Sequence, residues 1–580
     1  MAGKPKTPFF IVLGLVVVGL VLFAVSNSDL FAPEGKSDKP GDIDPTKVGT
    51  GQYEAPDSQG VTTVKEYEFV PASTLPPVKG VSGYKKLEET DNTVRFALNV
   101  WAGWGPIIHA NGGFKAERVW RTPEGKPFKV ELVLIDDPVA MRDAYANGDV
   151  HIGWATLDMV PLFMEAFVDR SGNPKDSRIM PRIFQQVDWS NGGDGIVVRG
   201  DIKTVRDLRG KRIVLAQNSP SHYFALNMLV SGGVQPSEVK WTFTSDAFQA
   251  AAAFNADKSI SAAVTWAPDI YNLSDVPGNR MLVNTVTANK LIADVWFARA
   301  DFAKDHGDIC EALVRGIFDA MVELKTDEAK QALSKLMATG YNLPASDALG
   351  MLADAHSTNW AENYQFFVNQ NNPANFERVW NQAYYLYRRI GTVKHQPVSF
   401  QKVMDFSIIK KLASDPKYST QRDEYQVSFT PKPVTEIKAE SDEILTNTVV
   451  IHFFPNSWDL NKKVMKEVNG KSVETLYDPN VDNVLEEIAK LVGQFGLSQV
   501  IIEGHTDASM KGRVQASLVK KLAENRALAV KTALVNKYKL DPSQFNVDGV
   551  GWDRPADPQD AMNHAKNRRV EIKIYAAEGN

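Results

Sequence analysis

Residues 202–230 read IKTVRDLRGKRIVLAQNSPSHYFALNMLV. RIVLAQ (212–217) has the apolar, β-branched character of a strand. A turn carrying Asn218, Ser219, Ser221 and His222 follows, and a helix begins there. The same succession recurs on both sides. VRFALNVW (94–101) and VELVLI (130–135) are strands, DPVAMRDAYANGD (137–149) is helical and VHIGWA (150–155) is again a strand. GIVVRG (195–200), AAVTWAP (262–268) and VWFARA (295–300) continue the series. Alternating strands and helices predict an α/β fold with a largely parallel sheet. Residues 308–412 are mostly helical, and Leu313, Val314, Ile317, Phe318, Met321 and Leu324 form one apolar face at helical spacing, the pattern of core packing.

The chain of 580 residues exceeds one ordinary domain and suggests three or four units. Its net charge of −5 gives no basic field for nucleic acid. The single cysteine, Cys310, excludes an internal disulfide and is expected as a buried thiol; no metal site and no cofactor are expected. Phe9–Val25 is uncharged, at the lower limit of a bilayer-spanning helix, and follows Lys4 and Lys6. Residues 1–26 are therefore expected to be an N-terminal membrane helix anchoring the chain, with a cleaved signal peptide as the rival reading. Residues 27–92, punctuated by prolines, are expected to be a disordered linker. A two-lobed domain is expected over 93–412, a second linker over 413–447, and a final α+β domain over 448–576. That last unit is expected to run strand (448–453), helix (482–495), strand (498–504), helix (514–539), strand (545–550) and strand (568–575).

VRFALNVWAGWGP (94–106), AYANGDVHIGWAT (144–156), the 202–230 stretch and ISAAVTWAPD (260–269) resemble, in that order, the periplasmic solute-binding proteins of ABC importers. The subgroup is the one handling nitrate, bicarbonate, sulfonates and thiamine-pyrimidine precursors. The resemblance implies two α/β lobes closing on a ligand. Lobe I would hold residues 93–190 and 300–410, lobe II 195–295, with crossings near Gly192-Gly193-Asp194 and near Trp296-Phe297. Ligand contacts in such sheets fall at the carboxyl ends of strands. That marks Trp101, Trp104, Gly105, Trp154, Thr156, Asn218, Ser219, Ser221, His222, Trp266 and Asp269 as candidates. The helix start at Ser219 suits an anion, so an anionic solute is expected.

VVIHFFPNSWDL, IIEGHTD, LAENRALAVKTALV, GVGWDRP and NHAKNRRVEI resemble, in order, the OmpA-like peptidoglycan-binding domains. Such domains hold the diaminopimelate residue of the stem peptide, a free carboxylate and ammonium on one carbon. The resemblance implies that Asp507 takes the ammonium and Arg526 the carboxylate, with Thr506, Arg568 and Arg569 in or around the site. Two departures stand out: a longer loop around MKGRV, and Val519 with Leu522-Ala523 where the family carries Asn and a Leu-Ser pair.

The expected protein is a periplasmic, membrane-anchored, non-enzymatic solute binder attached to peptidoglycan. Its partners would be a small solute, the inner membrane, and an ABC permease or a sensor. The alternative is an envelope scaffold whose solute-binding domain docks a partner. Pyrimidine-precursor synthases resemble the two-lobed family but carry a cysteine-rich segment and a metal-binding histidine; with one cysteine, this chain does not follow that pattern.

Overall fold

The computed structural model describes residue 54, residues 66–468 and residues 470–576. The expected membrane helix lies outside them, as does most of the first expected linker; no helix of the described residues is long and apolar enough to cross a membrane. The chain lays down β1 (Thr93–Leu98), β2 (Val119–Arg121), β3 (Pro127–Leu134), β4 (Ile152–Thr156) and β5 (Pro181–Ser190) in a first lobe. It crosses to a second lobe for β6 (Asp194–Arg199), β7 (Arg212–Ala216), β8 (Lys240–Thr244), β9 (Ala262–Trp266) and β10 (Asn279–Asn284). It then returns for β11 (Ala293–Arg299) and β12 (Ala355–Ser357).

The first sheet has the order β12-β5-β11-β4-β1-β3-β2, the second β10-β6-β9-β7-β8. Only the hearts of the two sheets are parallel: β3, β1 and β4 in one, β8, β7 and β9 in the other. β11 runs antiparallel to β4 and β5, and β6 antiparallel to β9 and β10, which corrects the expected largely parallel sheet. The reason lies in the crossings, because the strands that carry the chain between lobes enter each sheet in reverse. The second crossing also moves. Trp296 and Phe297, expected at the hinge, are fully buried within β11, and the chain changes lobes between β10 and β11. Helix Gly307–Glu323 buries Leu313, Val314, Ile317, Phe318 and Met321 as its spacing predicts, together with Cys310.

The described parts of the two expected linkers, 66–92 and 413–447, are more structured than their composition suggests. Phe69, Ala72, Leu75 and Val78 pack on the core, Leu87 is buried, and Ala72 N–H bonds the Ile390 carbonyl at 2.8 Å. In 413–447, Tyr418 and Tyr425 are buried and helix Val434–Glu440 packs Ile437 under the last sheet. A few aromatic and aliphatic side chains suffice to hold an otherwise polar segment on a large surface.

The C-terminal sheet follows, with β13 (Glu443–Val449), the hairpin β14 (Lys463–Val468) and β15 (Lys471–Leu476), β16 (Gln499–His505), β17 (Phe545–Gly551) and β18 (Val570–Tyr575). Its order is β13-β18-β16-β17, with β16 and β17 parallel around helix Ala516–Tyr538. Its first strand begins five residues before the expected 448, and the β14–β15 hairpin had no counterpart in the sequence reading. Helix Ala516–Tyr538 presses on β16 so closely that a Cβ on Gly504 would lie 2.0 Å from the Ala523 carbonyl oxygen. That approach sets the helix, and Arg526 on it, beside the end of β16. The module rests on both lobes. Arg378 Nε meets Glu486 Oε1 at 2.6 Å on the first, and Asn447 Nδ2 donates to the Ser231 carbonyl at 3.0 Å on the second.

Candidate functional site

Two sites emerge. Between the lobes lies a cavity of roughly 730 Å³. Trp101, Trp154 and Trp266 wall it, with Thr156 and Ser219, as the strand ends predict. Trp154 Nε1 donates to the Ile135 carbonyl at 3.0 Å and Trp101 Nε1 to Asp188 Oδ2 at 3.1 Å, so both rings are fixed in orientation. Gly193 has to be glycine, since a Cβ there would meet the Trp101 ring at 2.5 Å.

Six candidates lie elsewhere. Trp104 is turned inward by the short turn Ala102–Trp104, is fully buried on Phe96, and bonds Asn99 at 2.7 Å. Gly105 faces Leu333. Ser221 is buried away from the cavity, and His222 is packed between Trp241 and Phe243. Burial pushes the His222 imidazole down to about 3, so it is neutral. Asp269 starts a short helix outside the lining, and Asn218 turns away to the Ser73 carbonyl at 2.6 Å.

The residues that the sequence reading missed are acids. Asp136, Asp194, Asp294, Asp347 and Asp354 line the cavity, and among the described residues no lysine, arginine or histidine does. Asp158 and Asp188 lie just behind, 1% and 0% exposed. Asp194 Oδ2 accepts from Ser190 Oγ at 2.7 Å, and Thr285 Oγ1 of the second crossing lies 2.9 Å from the same Ser190 oxygen. Tyr271 of the second lobe donates to Asp354 Oδ1 at 2.6 Å across the cleft. Burial raises every one of the deep carboxyls. Asp158 reaches about 6 despite hydrogen bonds from Thr156 and Tyr387. Asp194 reaches about 7, with repulsion from Asp158 and Asp354 added to burial. Asp188 and Asp294 are a coupled pair, both raised by burial, with Asp188 adding repulsion at Asp294. Burial also raises Asp354. Among the described residues, none of the five has a cationic neighbour that offsets its burial. The lining offers the expected anionic solute no cationic side chain among the described residues. The helix beginning at Pro220 contributes only Ser219 and Pro220 to the lining, and every charged residue there is acidic.

The second site is in the C-terminal module. Asp507 follows β16, accepts from Ser509 N–H at 2.6 Å, and receives His564 Nδ1 at 2.9 Å and the Arg568 guanidinium. Burial alone would raise this carboxyl; Arg568, Ser509 and His564 hold it below the usual range. Arg526 lies 5.0 Å over Phe453 and donates through Nε to the Ser457 carbonyl at 3.0 Å. Its two terminal nitrogens grip the carboxylate of Glu54, Nη1 at 2.7 Å from Oε1. Glu54 Oε2 also accepts from Asn456 N–H at 3.0 Å, and Arg568 Nε lies 3.6 Å from Oε1. The guanidinium is thus shown holding a carboxylate in fork geometry, with Asp507 next to it across Arg568. Arg569 turns away to Glu571 at 2.7 Å and braces the sheet end, and Thr506 is anchored by its backbone to the Gly551 carbonyl at 2.9 Å. Val519, standing in the family's Asn position, is buried with Met510 and Leu522, an apolar plug instead of a polar contact.

Glu503, His505 and Glu571, on the other face of β16, are close enough together to suggest a metal. Lys438 at 2.6 Å and Arg554 at 3.0 Å already neutralise Glu503, and Arg569 holds Glu571.

The OmpA family model matches residues 472–569, and that of the ABC transporter, phosphonate, periplasmic substrate-binding proteins matches residues 194–349. The chain joins a solute-binding domain to an OmpA domain. The OmpA end is similar to the outer membrane protein Omp38 of Acinetobacter baumannii, 33% identical over 119 residues, covering 20% of this chain and 31% of that protein. The chain thus spans about a third of that relative's length. The two-lobed domain is similar to the taurine-binding periplasmic protein of Escherichia coli, 27% identical over 234 residues, 38% of this chain and 67% of that one. A solved periplasmic aliphatic sulphonate binding protein from Escherichia coli aligns over 59% of this chain and 97% of its own, with a TM-score of 0.42 and 17% identity.

Proposed function

We propose that this is an envelope protein that captures a small solute in the inter-lobe cavity while its OmpA domain holds peptidoglycan through diaminopimelate. It performs no catalysis. The observation that carries the reading is the grip of Arg526 on a carboxylate beside Asp507, in the same chain as a tryptophan-walled cavity between two lobes. Arg526 would take the diaminopimelate carboxylate where Glu54 now lies, and Asp507 the ammonium, each contact contributing about 1.5–3 kcal/mol. Arg568 is the third member, balancing Asp507 while the site is without ammonium. Anchorage to the inner membrane by residues 1–26 belongs to this reading, as does delivery of the solute to an ABC permease or its report to a sensor.

Two measurements test it on the full chain. In the first, it co-sediments with diaminopimelate-type sacculi but not with lysine-type sacculi. In the second, native mass spectrometry of gently purified protein reveals a retained small molecule. A chain that holds sacculi but never a solute would leave the domain as a docking scaffold.

A further inference from the structure

Resting on the solute-binding reading, we infer that the cleft takes an organic cation, an ammonium or guanidinium on an apolar body, rather than a sulfonate-like anion. Asp294 is the centre of the argument. It stands on β11, lines the cavity, and is 4% exposed. Among the described residues no N–H donor and no cation is recorded against its carboxyl; its hydrogen-bond partner is another acid, Asp188. Asp188 Oδ2 accepts from Trp101 Nε1 at 3.1 Å, while its Oδ1 has no hydrogen-bond partner. Buried carboxyls without a counter-charge are costly, and a fold built for an empty cavity has no use for them. A ligand cation supplies what is missing. The walls fit the rest of such a molecule, since tryptophan faces attract cations and cover apolar carbon.

The raised carboxyls agree with this arrangement, each being raised first by burial, with no cation beside it to offset that. Around Asp294 the titratable neighbours are Asp158, Asp188 and Asp194, with Asp136, Asp354 and Tyr271 on the wall. Every one of them is an acid, so a lower pH only weakens the attraction for a cation. An anion held by protonated carboxyls would show the reverse.

The test is titration calorimetry on the full chain with matched probes: phenethylamine, butylamine, butylguanidine and choline against taurine, butanesulfonate and phenylacetate, at pH 8 and pH 5. Expected is binding of at least one cation, weakened tenfold or more at pH 5, and tenfold or more by either Asp294→Asn or Trp266→Ala. Asp294→Asn removes an unpaired acid and is not expected to unfold the domain; its melting curve checks that. Binding of an anion, tightening toward pH 5, overturns the inference and leaves the solute-binding reading standing. So does a neutral solute found by native mass spectrometry. If no probe binds and no solute is retained, both fall together.

Discussion

The chain buries carboxylates in two places and treats them in opposite ways. In the C-terminal module Glu54, Asp507 and Glu503 all have guanidinium or ammonium groups within contact distance, and all are held below the usual carboxylate range despite burial. In the cleft Asp158, Asp188, Asp194, Asp294 and Asp354 have none among the described residues, and all are raised. Burial is similar; the counter-charge differs. A site that carries its own counter-charge can rest empty, or be filled by a segment of its own chain. A site that lacks one leaves the balance to whatever enters it.

The largest effect expected from this contrast is in the wall site. Arg526→Ala removes the fork that holds a carboxylate, and binding to diaminopimelate-type sacculi should fall about 100-fold, near 3 kcal/mol; Arg526→Lys should recover only part of it, because a point charge cannot bind in fork geometry. A loss of less than tenfold would mean that the module holds the wall through other groups.

The next measurement compares the two regions by pH. A carboxyl raised in the folded state binds more protons folded than unfolded between about 4 and its folded value. Its contribution is therefore complete below about pH 4 and lost as pH rises through about 7 for Asp194. Glu54 and Asp507 are lowered, so their contribution is complete above the ordinary range and lost as pH falls through their folded values. The melting transition followed by tryptophan fluorescence reports mainly the two-lobed domain, because all tryptophans but Trp458 and Trp552 lie in it. For the ligand-free chain it should be higher at pH 5 than at pH 8. The reverse slope would show that the cleft acids are compensated after all.

Asp294→Asn sharpens the same point. It should raise the ligand-free melting temperature at pH 8, by about 2–4 °C for each kcal/mol of relieved strain, and flatten the pH dependence. Smallest is the effect of Glu54→Gln. With its charge gone, the chain's own carboxylate competes less for Arg526, and sacculus binding should tighten about three- to tenfold. Unchanged binding would show that Glu54 leaves Arg526 freely when the wall arrives.

How legible each region was in the sequence follows from where its residues come from. Asp507, Arg526 and Arg568 sit in contiguous motifs, one at a strand end, one on the next helix and one before the last strand, so a resemblance carries them together. The cleft acids come one from each of several separated segments. Their signal was present in VDWS (187–190), GGDG (192–195) and IADVWF (292–297), where an aspartate interrupts strands otherwise buried on both sides. The strand-end rule located Trp101, Trp154, Thr156, Ser219 and Trp266, but gives position and not direction. Trp104 and His222, each within three residues of a lining position, point into the core because a tight turn and the first turn of a helix rotate them away. The α/β class followed from periodicity, whereas the antiparallel returns depend on which lobe a strand belongs to, and periodicity carries no such information.

The module's seat on both lobes has a thermodynamic consequence. Arg378 and Glu486 fasten it to one lobe, Asn447 and Ser231 to the other, while the cavity opens between them. A change in the angle between the lobes would strain these attachments if the module stayed rigid. The free energy of that strain then appears in the affinity for the solute, and by linkage the same quantity appears wherever the module's position matters. Occupancy of the cleft and engagement of the wall would thus be coupled variables of one molecule.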